Sequence, residues 1–235
     1  MPKLDTELHV KMFRAGKRRR SLTSRIRKAI KVLLGKDDVY GLEWGDPDVF
    51  PPLRHVRDHF VMPYLAPDKT VVEIGPGGGR WTRYMLCAKQ IYAVDYHQEI
   101  LNELKSNFDA ANIACVKNHG DDFPNIPDGS VDFLFSFGTF VHLDVDLIDR
   151  YLRNMKPLLK PGSQVVIQYS DKTKPRGRSN EGFSENDPDN MRKLVLSHGY
   201  SIHEEDLETL AHSSIVRFGP PKVGTGPEAT ARAGK

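Results

Sequence analysis

Val71-Val72-Glu73-Ile74-Gly75-Pro76-Gly77-Gly78-Gly79-Arg80-Trp81 is the stretch whose reading decides the fold. An apolar run short enough to be a buried strand enters a turn holding Gly75, Gly77, Gly78 and Gly79, and a helical pattern follows. Glycines are needed where a chain reverses sharply and where backbone must approach a ligand with no Cβ in the way. Two common uses of such a turn are excluded. A dinucleotide fingerprint beginning at Gly75 would need its third glycine where Arg80 stands, and no Gly-Lys-Ser/Thr follows to make a phosphate loop. Glu73, two residues ahead of the first glycine, would repel phosphate and suits a cationic ligand.

Downstream of Lys69, strand and helix patterns alternate as in a parallel α/β sheet. Strands are expected over 70–74, 91–95, 113–117, 131–136, 164–169, 200–204 and 213–218. Helices are expected over 80–88, 99–108, 145–159 and 190–197. The polar segment 171–187 reads as a long loop over one end of the sheet. Upstream, Leu22, Ile26, Ile30, Leu33 and Leu34 recur at helical steps and predict a short basic amphipathic helix closed by Gly35. YGLEWGDPDVFPP, residues 40–52, reads as a loop, and 53–65 as a helix. The expected divisions are a basic arm (1–36), a lid segment (37–66), the main domain (67–220) and a disordered tail (221–235).

Of the 235 residues, 34 are Lys or Arg and 31 Asp or Glu, a net charge of +3 that hides a division. Residues 1–36 hold twelve basic side chains against Asp5 and Glu7, a net of +10, which leaves −7 for residues 37–235. No run of 18 apolar residues predicts a spanning helix, and no apolar block follows the N-terminal charges as in a secretory signal. Cys87 and Cys115 form neither a CxxC pair nor part of a ligand cluster, so reduced thiols and a cytoplasmic location are the expectation.

With these motifs in view, the chain resembles the class I S-adenosylmethionine-dependent methyltransferases over about residues 66–220. Glu73-Ile74-Gly75-Pro76-Gly77-Gly78-Gly79 matches the family's [DE]-x-G-x-G-x-G motif. Asp95, ending IYAVD, stands where the family's acidic residue binds the ribose hydroxyls. Gly120-Asp121-Asp122 fits the Gly-Asp element beside adenine, with Asp121 as the side-chain partner and Asp122 close by. Leu159-Lys160-Pro161-Gly162 fits the element ahead of strand five. The resemblance implies a Rossmann-like, seven-stranded, mostly parallel sheet with strand seven antiparallel, helices on both faces and an N-terminal helical lid. It implies S-adenosylmethionine as cofactor, held by Glu73, Gly75, Gly77, Gly79, Asp95, Asp121 and Asp122, with Ser136 and Phe137 bordering it.

In such a sheet, ligands lie beyond the carboxyl ends of the strands. His142, after strand four, is therefore a candidate general base, with a structural role next to the following helix as the alternative. Asp144 is a candidate to orient it or to bind a metal, or else an N-cap. Tyr169 and Asp171 are expected on one face at the end of strand five. Tyr169 is a candidate for catalysis and for substrate contact. An antiparallel strand seven would bring His212, as a catalytic candidate, and Ser213, as a substrate contact, to the same cleft. Trp44 would be a lid that stacks on a substrate ring, or an anchor for the entering chain. Lys172, Lys174, Arg176 and Arg178 would form a polar wall suited to a hydrophilic acceptor.

The expected reaction is O-methylation of a small polar acceptor, favouring a sugar or oligosaccharide. WGDPDVFPPL, DKTKPRGRSNEGFSENDP and HSSIVRF are similar to segments of methyltransferases of polysaccharide biosynthesis, the mycobacterial methylmannose polysaccharide type among them. Mg2+ serves some sugar methyltransferases, but Asp144, Asp146 and Asp171 form no pattern that demands it. The competing expectations are an RNA or protein methyltransferase anchored by residues 11–36, and a binding module that docks on a membrane surface or a partner. Nucleic acid is disfavoured by the acidic body, and a homodimer is left open.

Overall fold

The computed structural model describes residues 39–221. The basic arm with its expected helix at 21–34, and the expected tail apart from Pro221, lie outside the described residues. Seven strands form one sheet: β1 (Thr70–Ile74), β2 (Gln90–Asp95), β3 (Ile113–Lys117), β4 (Val131–Ser136), β5 (Leu159–Ser170), β6 (Ser201–Asp206) and β7 (Ser213–Gly219). Their spatial order is β3-β2-β1-β4-β5-β7-β6. The pairs β3–β2, β2–β1, β1–β4 and β4–β5 are parallel, and β7 runs antiparallel to both β5 and β6. This is the Rossmann-like sheet expected from the sequence.

Helices cover both faces. On one, Val72, Ile74, Leu134, Val165, Ile167, Tyr169, Val216 and Phe218 pack against Ile148, Tyr151, Leu152 and Met155 of α4 (Val145–Met155) and Met191 and Val195 of α6 (Pro188–Ser197). On the other, Val71, Ile91, Phe133, Phe135, Val166 and Ile215 pack against Leu53, Val56, Phe60 and Val61 of the N-terminal helical segment and Trp81 and Met85 around α2 (Thr82–Met85). That segment begins as α1 (Pro51–His55), continues as a π turn over Val56–Val61 and closes as a 3-10 turn at Met62–Tyr64. Pro51 and Pro52 are tolerated there because the first turn has no use for their missing N–H groups. α3 (Gln98–Asn107) links β2 to β3.

Several boundaries move. The helix expected over 80–88 shrinks to the single turn of α2, and the one expected over 145–159 ends at Met155, with a 3-10 turn at Lys156–Leu158. β5 starts at Leu159 rather than 164, so Leu159-Lys160-Pro161-Gly162 lies inside the strand, not ahead of it. The register with β4 slips between Val131 and Phe133, Gly162 takes φ +83°, and Ser163 Oγ closes the irregularity by donating to the Val131 carbonyl at 2.7 Å. The loop expected at 171–187 contains one helical turn, α5 (Pro175–Arg178). Between 40 and 50 the chain forms a 3-10 turn at Val39–Trp44, kinked where Tyr40 and Gly41 take positive φ.

Gly75 shows how tightly this frame is closed. It sits at φ +72°, and a Cβ there would lie 1.8 Å from Thr139 Oγ1. Gly129 has φ +60° with open space around it. Gly75→Ala should cost about 3 kcal/mol, from left-handed strain plus a clash, and Gly129→Ala only about 1 kcal/mol. Urea unfolding of the two variants checks the difference.

Candidate active site

The turn between β1 and α2 is enclosed on three sides. Thr139, after β4, occupies the space beside Gly75 and donates toward the Ile74 carbonyl at 3.4 Å. A Cβ on Gly79 would meet the Phe108 ring at 2.1 Å, and one on Gly78 would meet the Tyr40–Gly41 backbone at 3.0–3.1 Å. Only Gly77, at φ +56°, faces open space, with nothing within 4 Å of a Cβ position. The ligand side of the loop is the side left bare.

Glu73 is buried, 1% exposed, with Oε2 accepting from Thr82 Oγ1 at 2.6 Å. Burial pushes its carboxyl up to about 7, against the opposing effects of that hydrogen bond and the Arg80 charge. Asp95, at the carboxyl end of β2, accepts from the His97 N–H at 2.7 Å, and burial again raises its pKa. Beside it, Tyr96, His97, Gln98, Glu99, Lys117, Asn118 and His119 line a cavity of about 340 Å³ at the ends of β2 and β3. The buried carboxylate, the bare glycine and this cavity form a setting that fits a cationic nucleoside ligand.

The other expected positions divide. Asp121 accepts from Arg150 Nε on α4 at 2.6 Å, and Asp122 accepts from the His119 N–H at 2.6 Å and pairs with its ring. Both carboxylates are thus engaged by protein groups. Ser136 is fully buried and donates to the Ile74 carbonyl at 2.9 Å, while Phe137 lies under the Arg80 guanidinium at 5.5 Å.

Tyr169 lies in the core, contrary to the expectation for the end of β5. It is 0% exposed, on the β5 face packed against α4 and α6, so it can neither touch substrate nor exchange a proton with it. Ser213 is also fully buried, its Oγ accepting from Gln168 Nε2 at 2.7 Å, which removes it from substrate contact. Gln168 in turn accepts from the Gly138 N–H at 2.7 Å and so ties the β4 loop to β7. Asp144 stands at the N-cap of α4, but its side chain makes no capping bond. It does not orient His142, whose Nδ1 lies 2.6 Å from the Gly182 carbonyl. Asp171 accepts from Ser214 Oγ and Thr173 and is spent on holding its own loop. Among the described residues, no three His, Cys, Asp or Glu side chains are grouped to hold a metal.

The polar wall is also more self-contained than expected. Lys174 Nζ donates to the Leu210 and Ser213 carbonyls at 2.8 and 2.7 Å, and Arg178 donates to the Lys172 and Thr173 carbonyls. Ser184 N–H donates to the Val141 carbonyl at 2.8 Å, pinning the loop against the segment that carries His142.

What the structure does bring together are His142 and His212, both against the ring of Phe183. Each imidazole meets that ring edge-on, at 5.4 Å and 82–84°. His142 is exposed. His212 has a buried Nδ1 with no hydrogen-bond partner, and burial, with help from the Lys174 and Arg176 charges, lowers its pKa. Phe183 escaped the sequence reading because nothing local ties an aromatic in a polar loop to histidines about 30–40 residues away in sequence. Arg80 was noted only for spoiling a dinucleotide fingerprint. Its guanidinium donates to the Trp44 carbonyl at 2.7 Å, and the Trp44 indole is 74% exposed. A cation directly after a glycine turn and next to Trp81 was the available signal.

The family profile described as a methyltransferase domain matches residues 71–162, the span from the Glu73 loop to the Pro161–Gly162 irregularity. Residues 71–162 of the chain therefore carry a methyltransferase domain. An S-adenosylmethionine-dependent methyltransferase from Mesorhizobium loti is similar in structure, with TM-score 0.61 and 13% identity over 74% of this chain and 99% of that one. The CcbJ methyltransferase from Streptomyces caelestis has TM-score 0.60 and 15% identity over 76% and 99% of the two chains. Mitomycin 7-O-methyltransferase MmcR has TM-score 0.53 and 18% identity over 65% of this chain and 49% of its own. Comparison with curated protein sequences gave no match. Among the described residues of this methyltransferase, no helix is long and apolar enough to cross a membrane.

Two outcomes follow for the methyltransferase. A carboxyl whose folded pKa is raised favours the fold fully below its unfolded pKa and loses that contribution as pH rises through about 7. Glu73→Gln should therefore raise the thermal midpoint at pH 8 and leave it nearly unchanged at pH 4, as read by calorimetry at the two pH values. Tyr169→Phe should keep methyl transfer within about twofold of wild type, since a phenol sealed in the core does not enter the rate of a step elsewhere. Labelled cofactor turnover measures it.

Proposed function

We propose that this methyltransferase transfers its methyl group to a hydroxyl of a small polar acceptor, a sugar or oligosaccharide, with His142 as general base. The observation that carries the reading is the bond from His142 Nδ1 to the Gly182 carbonyl at 2.6 Å. A carbonyl oxygen can only accept, so Nδ1 holds the hydrogen and the neutral ring keeps its lone pair on Nε2. The ring is exposed and follows the carboxyl end of β4, on the side of the sheet where ligands of this fold bind.

Bound S-adenosylmethionine supplies a methyl carbon made electrophilic by the positive sulfur to which it is attached. His142 Nε2 takes the hydroxyl proton as the acceptor oxygen forms its bond to that carbon. When bound, the cofactor would give up that methyl with its carbon–sulfur electron pair left on sulfur as a neutral thioether. The imidazolium so formed is stabilised by the same Gly182 carbonyl, since a charged donor strengthens the hydrogen bond. Glu73 would face the cationic end of the cofactor, Asp95 would accept from the ribose hydroxyls, and the Gly75–Gly79 backbone would lie against the methionine portion. Trp44, an exposed indole on an anchored backbone, offers a face on which a sugar ring can stack. Asp121 and Asp122 serve at the adenine end through the loop they brace. The same fold carries hydroxyl methylation in mitomycin 7-O-methyltransferase.

The test is transfer of labelled methyl from S-adenosylmethionine to fractionated saccharide, RNA and protein pools. Alkali-stable label in saccharide supports the reading, and label confined to RNA or protein overturns it. On the accepting fraction, His142→Ala should lower kcat by about 10²-fold or more with cofactor affinity held within about threefold. Asp95→Ala should instead weaken S-adenosylhomocysteine binding by about tenfold or more, as two ribose hydrogen bonds to a charged acceptor are lost. Titration calorimetry reads that loss.

A further inference from the structure

We propose that Arg80 is the positioning residue that holds the Trp44 platform over the site, tying the covering segment Val39–Phe50 to the cofactor loop. The role given to Trp44 rests on the methyl-transfer reading above, whereas the tether itself rests on geometry. Arg80 leaves the glycine turn directly after Gly79, and its Nη1 donates to two successive carbonyls of the covering segment, Trp44 at 2.7 Å and Gly45 at 3.4 Å. The guanidinium lies 5.6 Å from the Trp81 ring centroid and 5.5 Å from that of Phe137, the residue that follows β4. One planar cation therefore joins the glycine turn, the β4 loop and the covering segment.

The segment has a second, separate anchorage farther along. Arg83 Nη2 pairs with Asp46 at 2.5 Å and with Asp48 at 3.1 Å, and Tyr84 donates to Asp48 at 2.8 Å. These bonds hold Asp46–Asp48 to α2 and leave Trp44 and Gly45 to Arg80. Gly78 adds a steric footing, since the Tyr40–Gly41 backbone rests where its Cβ would be. Burial lowers the Arg80 pKa to about 10, opposed by the charges of Glu73 and Glu43, so the group is still a cation at neutral pH. An arginine is required rather than any cation. Its Nη1 serves two carbonyls while the delocalised guanidinium lies against two rings, and a compact lysine ammonium cannot do both.

The Trp44 side chain is exposed while its backbone is held, which makes cleavage after Trp44 a local gauge of the tether. The full chain and its Arg80→Lys and Arg80→Ala variants would be digested with chymotrypsin, timing the cut after Trp44 against cuts elsewhere. S-adenosylhomocysteine binding would be measured in parallel by calorimetry. Arg80→Ala should speed the Trp44 cut by about tenfold and Arg80→Lys by about threefold relative to the cuts elsewhere in the same digest. The S-adenosylhomocysteine Kd should stay within about threefold of wild type. If Arg80→Ala folds poorly, the lysine variant carries the test, since it keeps the charge and the stem. A Trp44 cut unchanged in the folded variants would overturn the tether, as would a uniform rise at every site. Loss of cofactor binding with an unchanged cut would give Arg80 to the cofactor instead. Failure of the wild-type chain to bind S-adenosylhomocysteine would sink the methyl-transfer reading and leave the cleavage result standing.

Discussion

The rest of the molecule is arranged around a turn that has no room for side chains. At the end of β1 the backbone passes between Thr139 of the β4 loop, Phe108 at the end of α3 and the Tyr40–Gly41 backbone of the covering segment. These three come from distant parts of the chain and approach until a Cβ at Gly75, Gly78 or Gly79 would touch one of them. Close approach of this kind is worth its cost in chain entropy only where the remaining side must be left for a ligand. The turn therefore does two things at once. It lets three segments converge, and it leaves the Gly77 backbone as the surface against which a cofactor can lie.

A second constraint follows from the first. Glu73 enters this crowded turn as a carboxylate with almost no water, and Arg80 leaves it as a guanidinium that is itself largely desolvated. Each moderates the cost of burying the other, yet Glu73 is held up to about 7, so near neutrality it is only partly ionised. A ligand carrying positive charge would complete the compensation that Arg80 begins. Arg80 meanwhile spends its hydrogen bonds on the Trp44 and Gly45 carbonyls rather than on Glu73. The electrostatics of the cofactor loop and the order of the covering segment are consequently parts of one arrangement.

Much of this was legible in the residues. β1, β2 and β4 are buried on both faces, so they read as short continuous apolar runs; motif and spacing marked the glycine turn and Asp95 at the end of β2, while the antiparallel β7 was implied by the family resemblance. Tyr169 was misread because burial on both faces erases the alternation that would have told inward from outward. Gln168 and Ser170 share one face, Tyr169 the other, and a single step of parity decides which reaches the cleft. The Pro161–Gly162 irregularity was hidden for a different reason: Pro-Gly signals a turn, and only pairing with Val131 keeps it within the strand. The basic side chains of 172–178 looked like a surface offered to a ligand, but Lys174 and Arg178 close the carbonyls of their own loop, which no linear pattern announces.

The two histidines placed about Phe183 are chemically unequal, and the inequality comes from what each backbone neighbour offers. His142 meets a carbonyl, which assigns its hydrogen to one nitrogen and frees the other toward solvent. His212 meets no partner at its buried nitrogen and lies near Lys174 and Arg176, so accepting a proton would add a third positive charge to a partly desolvated corner. The first is suited to take a proton and the second to remain neutral. Phe183 makes an edge-on contact with each of them. Under the proposed reaction, proton removal then belongs to His142 rather than to His212.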